Sequence, residues 1–239
     1  YFLLNNPEAL RKAQAQVDEV MGESIPTLDH LSRLRYIEQI LMETLRLWPT
    51  APAFAVSPHE KTLLAGKYPI GPRDVLMVML PMLHRDPAVW GDDADAFRPE
   101  RFDPELEKAL PPNAWKPFGN GMRACIGRPF AMQEAMLVLS MLLQRFEVAA
   151  VDPNYQLQIK ETLTLKPEGF QVRVRRRNNQ PQRWAGAVAT PQETPTASAS
   201  PHVESSAEGV PLLVLYGSNT GSAEAFARRI AEDAARNGF

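Results

Sequence analysis

Apolar residues recur at helical spacing in three stretches of the chain and at alternate positions in several short ones. Asn6 followed by Pro7 predicts a helix start, with the helix continuing through Val20 and stopping near Gly22. A second helix is predicted over residues 34–48. Its Ile37, Leu41, Leu45 and Trp48 form one stripe, Ile40 and Leu47 widen it, and Pro49 ends it. So broad a stripe predicts deep burial. A third helix, over residues 127–146, is rich in Met and Leu on its inner face. Between the second and third helices lie twelve of the 22 prolines, from Pro49 to Pro117, with strand-like runs at 62–64 and 75–80. Coil of that length in a compact domain is expected to wrap around something. The alternating segments 156–159 and 171–174 predict a terminal hairpin region.

The pattern breaks at residues 178–209, which hold no Leu, Ile, Met or Phe and are mostly Pro, Ser, Thr, Ala, Gln and Glu. Such a segment buries too little apolar area to offset ordering entropy and is read as a disordered linker, spanning roughly 30 Å as a flexible coil. The expected organisation is a mainly helical unit with small sheets over 1–177, the linker over 178–209, and the start of an α/β unit over 210–239. In the last, residues 211–216 read as a buried strand and residues 223–237 as a helix with Ala227, Ile230 and Ala234 on one side.

Charge and length narrow the function classes. With 26 Lys and Arg against 28 Asp and Glu in 239 residues, the chain is no dedicated polyanion binder, and no nucleic-acid partner is expected. Its longest apolar stretches, around 75–83 and 135–143, fall short of the roughly 18 to 20 residues of a membrane span. A single cysteine, Cys125, excludes an internal disulfide and a multi-cysteine zinc site, and makes a reducing, cytosolic setting the default. The start, Tyr1-Phe2-Leu3-Leu4-Asn5-Asn6-Pro7, lacks an initiator Met, a basic flank and a small-residue cleavage site, so it is read as cut from something longer rather than as a signal peptide.

That cysteine stands in Phe118-Gly119-Asn120-Gly121-Met122-Arg123-Ala124-Cys125-Ile126-Gly127, just before the third helix. Unpaired N–H groups and the helix dipole there favour a thiolate, which suits a metal ligand. Gly121 can take the positive φ of a tight turn, Gly127 leaves room for a flat group against the backbone, and Arg123 supplies a fixed cation two residues from the sulfur. The plain alternative is a small buried hydrophobe. Five fixed identities in Phe-x-x-Gly-x-Arg-x-Cys-x-Gly, with a chance occurrence of order one in a million per position, weigh against it. A Cys/His nucleophile is disfavoured because none of His30, His59, His84 and His202 has a motif around it.

The loop resembles the haem-binding signature of the cytochrome P-450 superfamily, a haem-thiolate family. The resemblance implies haem b with Cys125 as catalytic axial iron ligand, Phe118 packed near the sulfur, Gly127 against the ring and Arg123 holding a propionate. Glu43 and Arg46, three apart on the second helix, can pair on one face. With Phe97-Arg98-Pro99-Glu100-Arg101-Phe102 they resemble the superfamily's second landmark, in which the Glu-x-x-Arg pair joins a later Arg. Here that is Arg101, with Arg98 as fallback. Residues 160–170 are similar to a segment of the self-sufficient fatty-acid hydroxylases, fusions of a haem domain and a reductase. Family substrate contacts map onto Ala51, Pro52 and Leu163, where ordinary core packing is the competing reading.

After the linker, Gly217-Ser218-Asn219-Thr220-Gly221-Ser222 joins strand to helix, so that backbone N–H groups and hydroxyls can converge on a phosphate. It is neither a Walker loop nor a dinucleotide turn. It resembles the FMN-phosphate loop of the flavodoxin fold, with Ser218, Asn219, Thr220, Gly221, Ser222 and Ala223 as contacts. A tethered FMN module implies electron delivery at high effective concentration. The resemblance thus implies a fragment of a cytoplasmic monooxygenase that hydroxylates fatty acids or similar apolar chains with O₂. Its electrons would come from NADPH through FAD and FMN, with the reductase in cis and a homodimer compatible. FAD, NADPH and the family's oxygen-activating helix are expected outside this chain, leaving the fragment on its own inactive. Two other readings stay open: a non-catalytic scaffold that keeps the fold without haem, and a flavodoxin-like carrier with an unrelated N-terminal domain.

Overall fold

The structure is a computed structural model that describes residues 1–177 together with 228, 229, 231 and 232. The chain divides into two units, Tyr1–Pro181 and Gln182–Phe239. In the second, the four described residues are helical and exposed and fall inside the helix predicted over 223–237. The linker, the predicted strand at 211–216 and the loop from Ser218 to Ala223 lie outside the described residues.

The first unit begins with α1 (Phe2–Asn5), α2 (Pro7–Met21), α3 (Leu28–Leu31) and α4 (Arg35–Leu47). Asn6 is the residue before α2, but its side-chain amide donates back to the Phe2 carbonyl at 2.8 Å instead of capping forward. Gly22 ends α2 at φ +50°, a conformation costly for any residue with a Cβ. Four-residue spacing puts Ala9, Ala13, Val17 and Met21 on one buried face of α2.

Then follow β1 (Ala53–Val56), β2 (Thr62–Leu64), β3 (Tyr68–Ile70), β4 (Leu76–Met79), α5 (Leu80–Leu83), α6 (Pro87–Trp90), a 3₁₀ turn (Pro99–Phe102), α7 (Pro104–Ala109) and a second 3₁₀ turn (Gly121–Arg123). The unit closes with α8 (Arg128–Arg145), β5 (Phe146–Ala150), β6 (Ile159–Glu161), β7 (Leu165–Pro167) and β8 (Val172–Arg176). All pairing is antiparallel and two-stranded, β1 with β4, β2 with β3, β5 with β8 and β6 with β7.

Two predicted features are corrected. The segments at 156–159 and 171–174 do not form one hairpin. Residue 159 opens β6, which pairs with β7, and 172–174 lie in β8, which returns to β5 directly after α8. Alternation marks a strand but does not name its partner. The burial of α4 also differs from the apolar stripe. Leu41, Leu45 and Trp48 are half-buried, whereas Glu43 and Arg46 are fully buried.

Two apolar clusters explain that burial. In one, Val17 and Met21 of α2, Ile37 and Ile40 of α4, and Met136 and Leu143 of α8 meet. In the other, Met42 on a different side of α4 packs with Trp90, Ala94, Phe102 and Ala114 of the proline-rich coil. Helix α4 is thus covered by helices on one side and by coil on another, and is the post around which residues 80–118 wrap.

Candidate haem-thiolate site

The coil is fastened to α4 through charge. Arg46 donates from Nε to Glu43 Oε2 at 2.6 Å and from Nη2 to Glu43 Oε1 at 2.8 Å, with both side chains fully buried. Its remaining donors reach the carbonyls of His84 (2.7 Å), Ala94 (2.6 Å) and Ala96 (3.1 Å). All five guanidinium N–H groups are therefore used, the condition under which a buried cation is tolerable. Arg46 also lies over the Trp90 ring at 5.0 Å.

The structure brings Arg101 to the same carboxylate, its Nε 3.4 Å from Glu43 Oε1. Arg101 further donates to the carbonyls of Trp90 and Asp93 and pairs with Asp93 Oδ1 at 2.8 Å. Arg101 holds the exposed Asp93 carboxyl below the usual carboxylate range, chiefly through that hydrogen bond. Arg98 takes part through its backbone, whose N–H donates to Glu43 Oε1 at 2.8 Å, while its side chain pairs with Asp93. Glu43 thus gathers α4, the 84–96 coil and the first 3₁₀ turn at one point.

The cysteine loop hangs from the same post. Trp115 Nε1 donates to the Met42 carbonyl at 3.1 Å, and Arg128 at the start of α8 lies over the rings of Trp115 (5.2 Å) and Phe118 (5.8 Å). From Phe118 the chain turns sharply, with Gly119 at φ +75° and Gly121 at φ +62°. The turn closes where the Cys125 N–H donates to the Phe118 carbonyl at 2.8 Å and Ala124 N–H to Gly121 O at 3.1 Å. Outside the loop, Lys116 donates to Asn120 and Asn120 to Asn113. Gly127 is the residue before α8, so the cysteine sits at the mouth of that helix.

The sulfur is open: Cys125 is exposed, and Met122 and Ile126 beside it are fully exposed, with Phe130 at 70%. A Cβ on Gly127 would stand 3.8 Å from Cys125 Sγ, so glycine keeps the space beside the sulfur clear. Arg123 stands exposed in the second 3₁₀ turn. The turn presents the cysteine outward, so it is not a packed core cysteine.

A family model described as cytochrome P450 matches residues 1–174. The chain belongs to the cytochrome P450 family. Over its whole length it is 49% identical to a self-sufficient cytochrome P450 monooxygenase of Phanerodontia chrysosporium. It is also 46% identical to bifunctional cytochrome P450/NADPH–P450 reductases of Aspergillus oryzae and of Bacillus cereus. It covers 23% of each of these three proteins, so it spans about a quarter of their length.

The P450 family is a haem family, and the residues present fit the group: an open thiol, no side chain at Gly127, an apolar frame and one exposed arginine. Of the positions expected to contact substrate, Ala51 is exposed, Pro52 is half-buried and Leu163 is 92% exposed in the β6–β7 turn. The Leu165 N–H donates to the Thr50 carbonyl at 2.8 Å, which brings that turn to the segment after α4. An apolar cavity of about 330 Å³ opens beside it, lined among others by Phe2, Leu41, Trp48, Leu139 and Leu165. Sequence reasoning missed Trp115, Arg128, Asp93 and His84. None stands in a motif, and only the contact between distant segments identifies them.

Proposed function

We propose that this chain is the cysteine-bearing part of the haem domain of a self-sufficient monooxygenase, joined by the 178–209 linker to the start of a flavodoxin-like FMN module. The observation that carries the reading is the open, framed Cys125 at the mouth of α8. Similarity to fusion proteins across the entire chain, through the linker and residues 210–239, supports the second module. In this reading Cys125 ligates the iron, Arg123 pairs with a propionate, and Phe118 and Gly127 shape the space around the sulfur. Haem held in this way supplies the chemistry by which O₂ oxidises a C–H bond.

The protein's own residues do three things for that chemistry. The Glu43–Arg46–Arg101 knot holds the coil on which the loop is mounted. The Gly119–Gly121 turn presents the sulfur at the mouth of α8. Apolar side chains, with Leu163 and the Ala51–Pro52 segment nearby, offer a fatty-acid chain or a similar apolar substrate a surface without hydrogen-bonding demands. NADPH, FAD and FMN would supply the electrons to haem, and Ser218, Asn219, Thr220, Gly221, Ser222 and Ala223 are the residues that would hold the FMN phosphate. One oxygen atom enters the product and the other leaves as water. No helix among the described residues is long and apolar enough to cross a membrane, and the reading places the enzyme in the cytoplasm.

The test is cofactor content and turnover of the full-length protein with a series of fatty acids. The reading expects stoichiometric haem and FMN and NADPH-dependent hydroxylated product. Haem-free protein, or FMN without haem, would contradict it.

A further inference from the structure

His84 is fully buried, carries no motif, and is used by none of the chemistry above. Its ring lies between two segments that are remote in sequence. Nδ1 is 3.1 Å from the carbonyl of Arg46 on α4, and Nε2 is 2.9 Å from the backbone nitrogen of Lys116, on the approach to the cysteine loop. A carbonyl only accepts and a backbone N–H only donates, so the two partners select a single form: neutral imidazole with the proton on Nδ1. The contact with α4 is reciprocal, because Arg46 donates from Nη1 to the His84 carbonyl.

We propose that His84 is a positioning residue for the cysteine loop, tying the end of α4 to the Lys116 amide and so fixing where residues 116–118 hand the chain to Cys125. Between Lys116 and the sulfur stand the Gly119 N–H to Lys116 carbonyl bond (3.0 Å), the Lys116–Asn120 side-chain bond (2.8 Å), and the Ala124 N–H to Gly121 and Cys125 N–H to Phe118 carbonyl bonds. A shift at Lys116 is therefore passed to the sulfur through two short turns.

The geometry carries a pH dependence. A second proton on His84 would place an N–H against the Lys116 N–H and break the tie. The charged groups around the ring are Arg46, paired with Glu43, and Arg85, paired with Asp95; Lys116 contributes its backbone. Burial, aided by the two guanidinium groups, pushes the His84 pKa down to about 4 from 6.5. The folded state thus binds fewer protons than the unfolded state between those values. Stability from the tie is complete above pH 6.5 and is lost as pH falls toward 4.

The test uses His84→Gln, His84→Asn and His84→Phe in the full-length protein. The Gln amide reaches the Nε2 position and can accept from Lys116, whereas the Asn amide reaches only the Nδ1 position. One readout is hydrogen exchange of the Lys116 amide. Another is the fraction of reduced, CO-bound protein showing the thiolate-type Soret band between pH 7 and 4. His84→Asn is expected to speed Lys116 exchange by about tenfold, the size of one lost hydrogen bond, and to lower the thiolate fraction already at pH 7. His84→Gln should keep both near wild type and lose the part of the acid transition that belongs to His84. His84→Phe should behave as His84→Asn or worse; should it fail to fold, the Gln–Asn contrast decides. Equal exchange and equal acid profiles in the Gln and Asn variants would overturn the proposal. The spectroscopic readout rests on Cys125 as ligand, but the exchange readout does not. A Cys125→Ser protein that kept the band would sink the ligand reading and leave His84 to be judged on exchange.

Discussion

Gly121 and Gly127 flank the sulfur for different physical reasons. Gly121 sits at φ +62° with nothing within 4 Å of where a Cβ would be, so Gly121→Ala meets no clash but strains the backbone. The expected cost is about 1–2 kcal/mol of stability, read by denaturant unfolding. Gly127 has an ordinary φ of −82°, and its added Cβ would touch only the Cys125 sulfur at 3.8 Å. Gly127→Ala should leave stability within about 0.5 kcal/mol and instead lower haem content per protein. Equal haem content in Gly127→Ala and wild type would contradict the role given to that space. Glu43 is the other decisive residue. Its removal would leave the buried Arg46 with carbonyl partners only and Arg101 with Asp93 as its remaining carboxylate, so Glu43→Ala should cost about 3–5 kcal/mol, measured as a shift of the unfolding midpoint. An unchanged midpoint would refute the knot. The cysteine motif and the Glu-x-x-Arg pair were legible because their spacing is local. Trp115 and His84 were not, because each acts through backbone groups from another part of the chain, and Asp93 was not, because its pairs with Arg98 and Arg101 follow no motif.

Among the elements, α2 could be read from the sequence nearly to its ends, since Asn6-Pro7 and Gly22 are local signals. The length of α4 was equally legible, but its most deeply buried side was not. Apolar periodicity cannot show that Glu43 and Arg46 face inward when the carbonyls that satisfy Arg46 come from 38 to 50 residues away. The pairing of β5 with β8 escaped the sequence for the same reason, because a strand's alternation carries no address. In helix α8, Ser140 is fully buried, and its hydroxyl has no hydrogen-bond partner among the described residues. Ser140→Ala removes a desolvated polar group at little cost in volume. It should be neutral or stabilising by up to about 1 kcal/mol, seen as a higher melting temperature. A loss above that size would reveal a bond that the packing does not explain.

At the scale of the whole molecule, one post organises the haem-side unit. Helix α4 meets α2 and α8 through apolar residues and holds the proline-rich coil through the Glu43 knot and the Trp115 and His84 ties. The coil in turn carries the cysteine loop to the mouth of α8. The prolines, which in the sequence predict long coil wrapped around something, punctuate a stretch of two small sheets, short helices and turns that is fastened to α4. The second unit enters the account through similarity across the full chain and through its Ser218–Ser222 loop, which lies outside the described residues. The account rests above all on the identity of one ligand atom, the Cys125 sulfur. The most direct test is the absorption spectrum of the full-length protein, reduced and bound to CO, beside that of Cys125→Ser. The account predicts a red-shifted, thiolate-type Soret band in the wild type and its loss in Cys125→Ser; an identical band in both would contradict it.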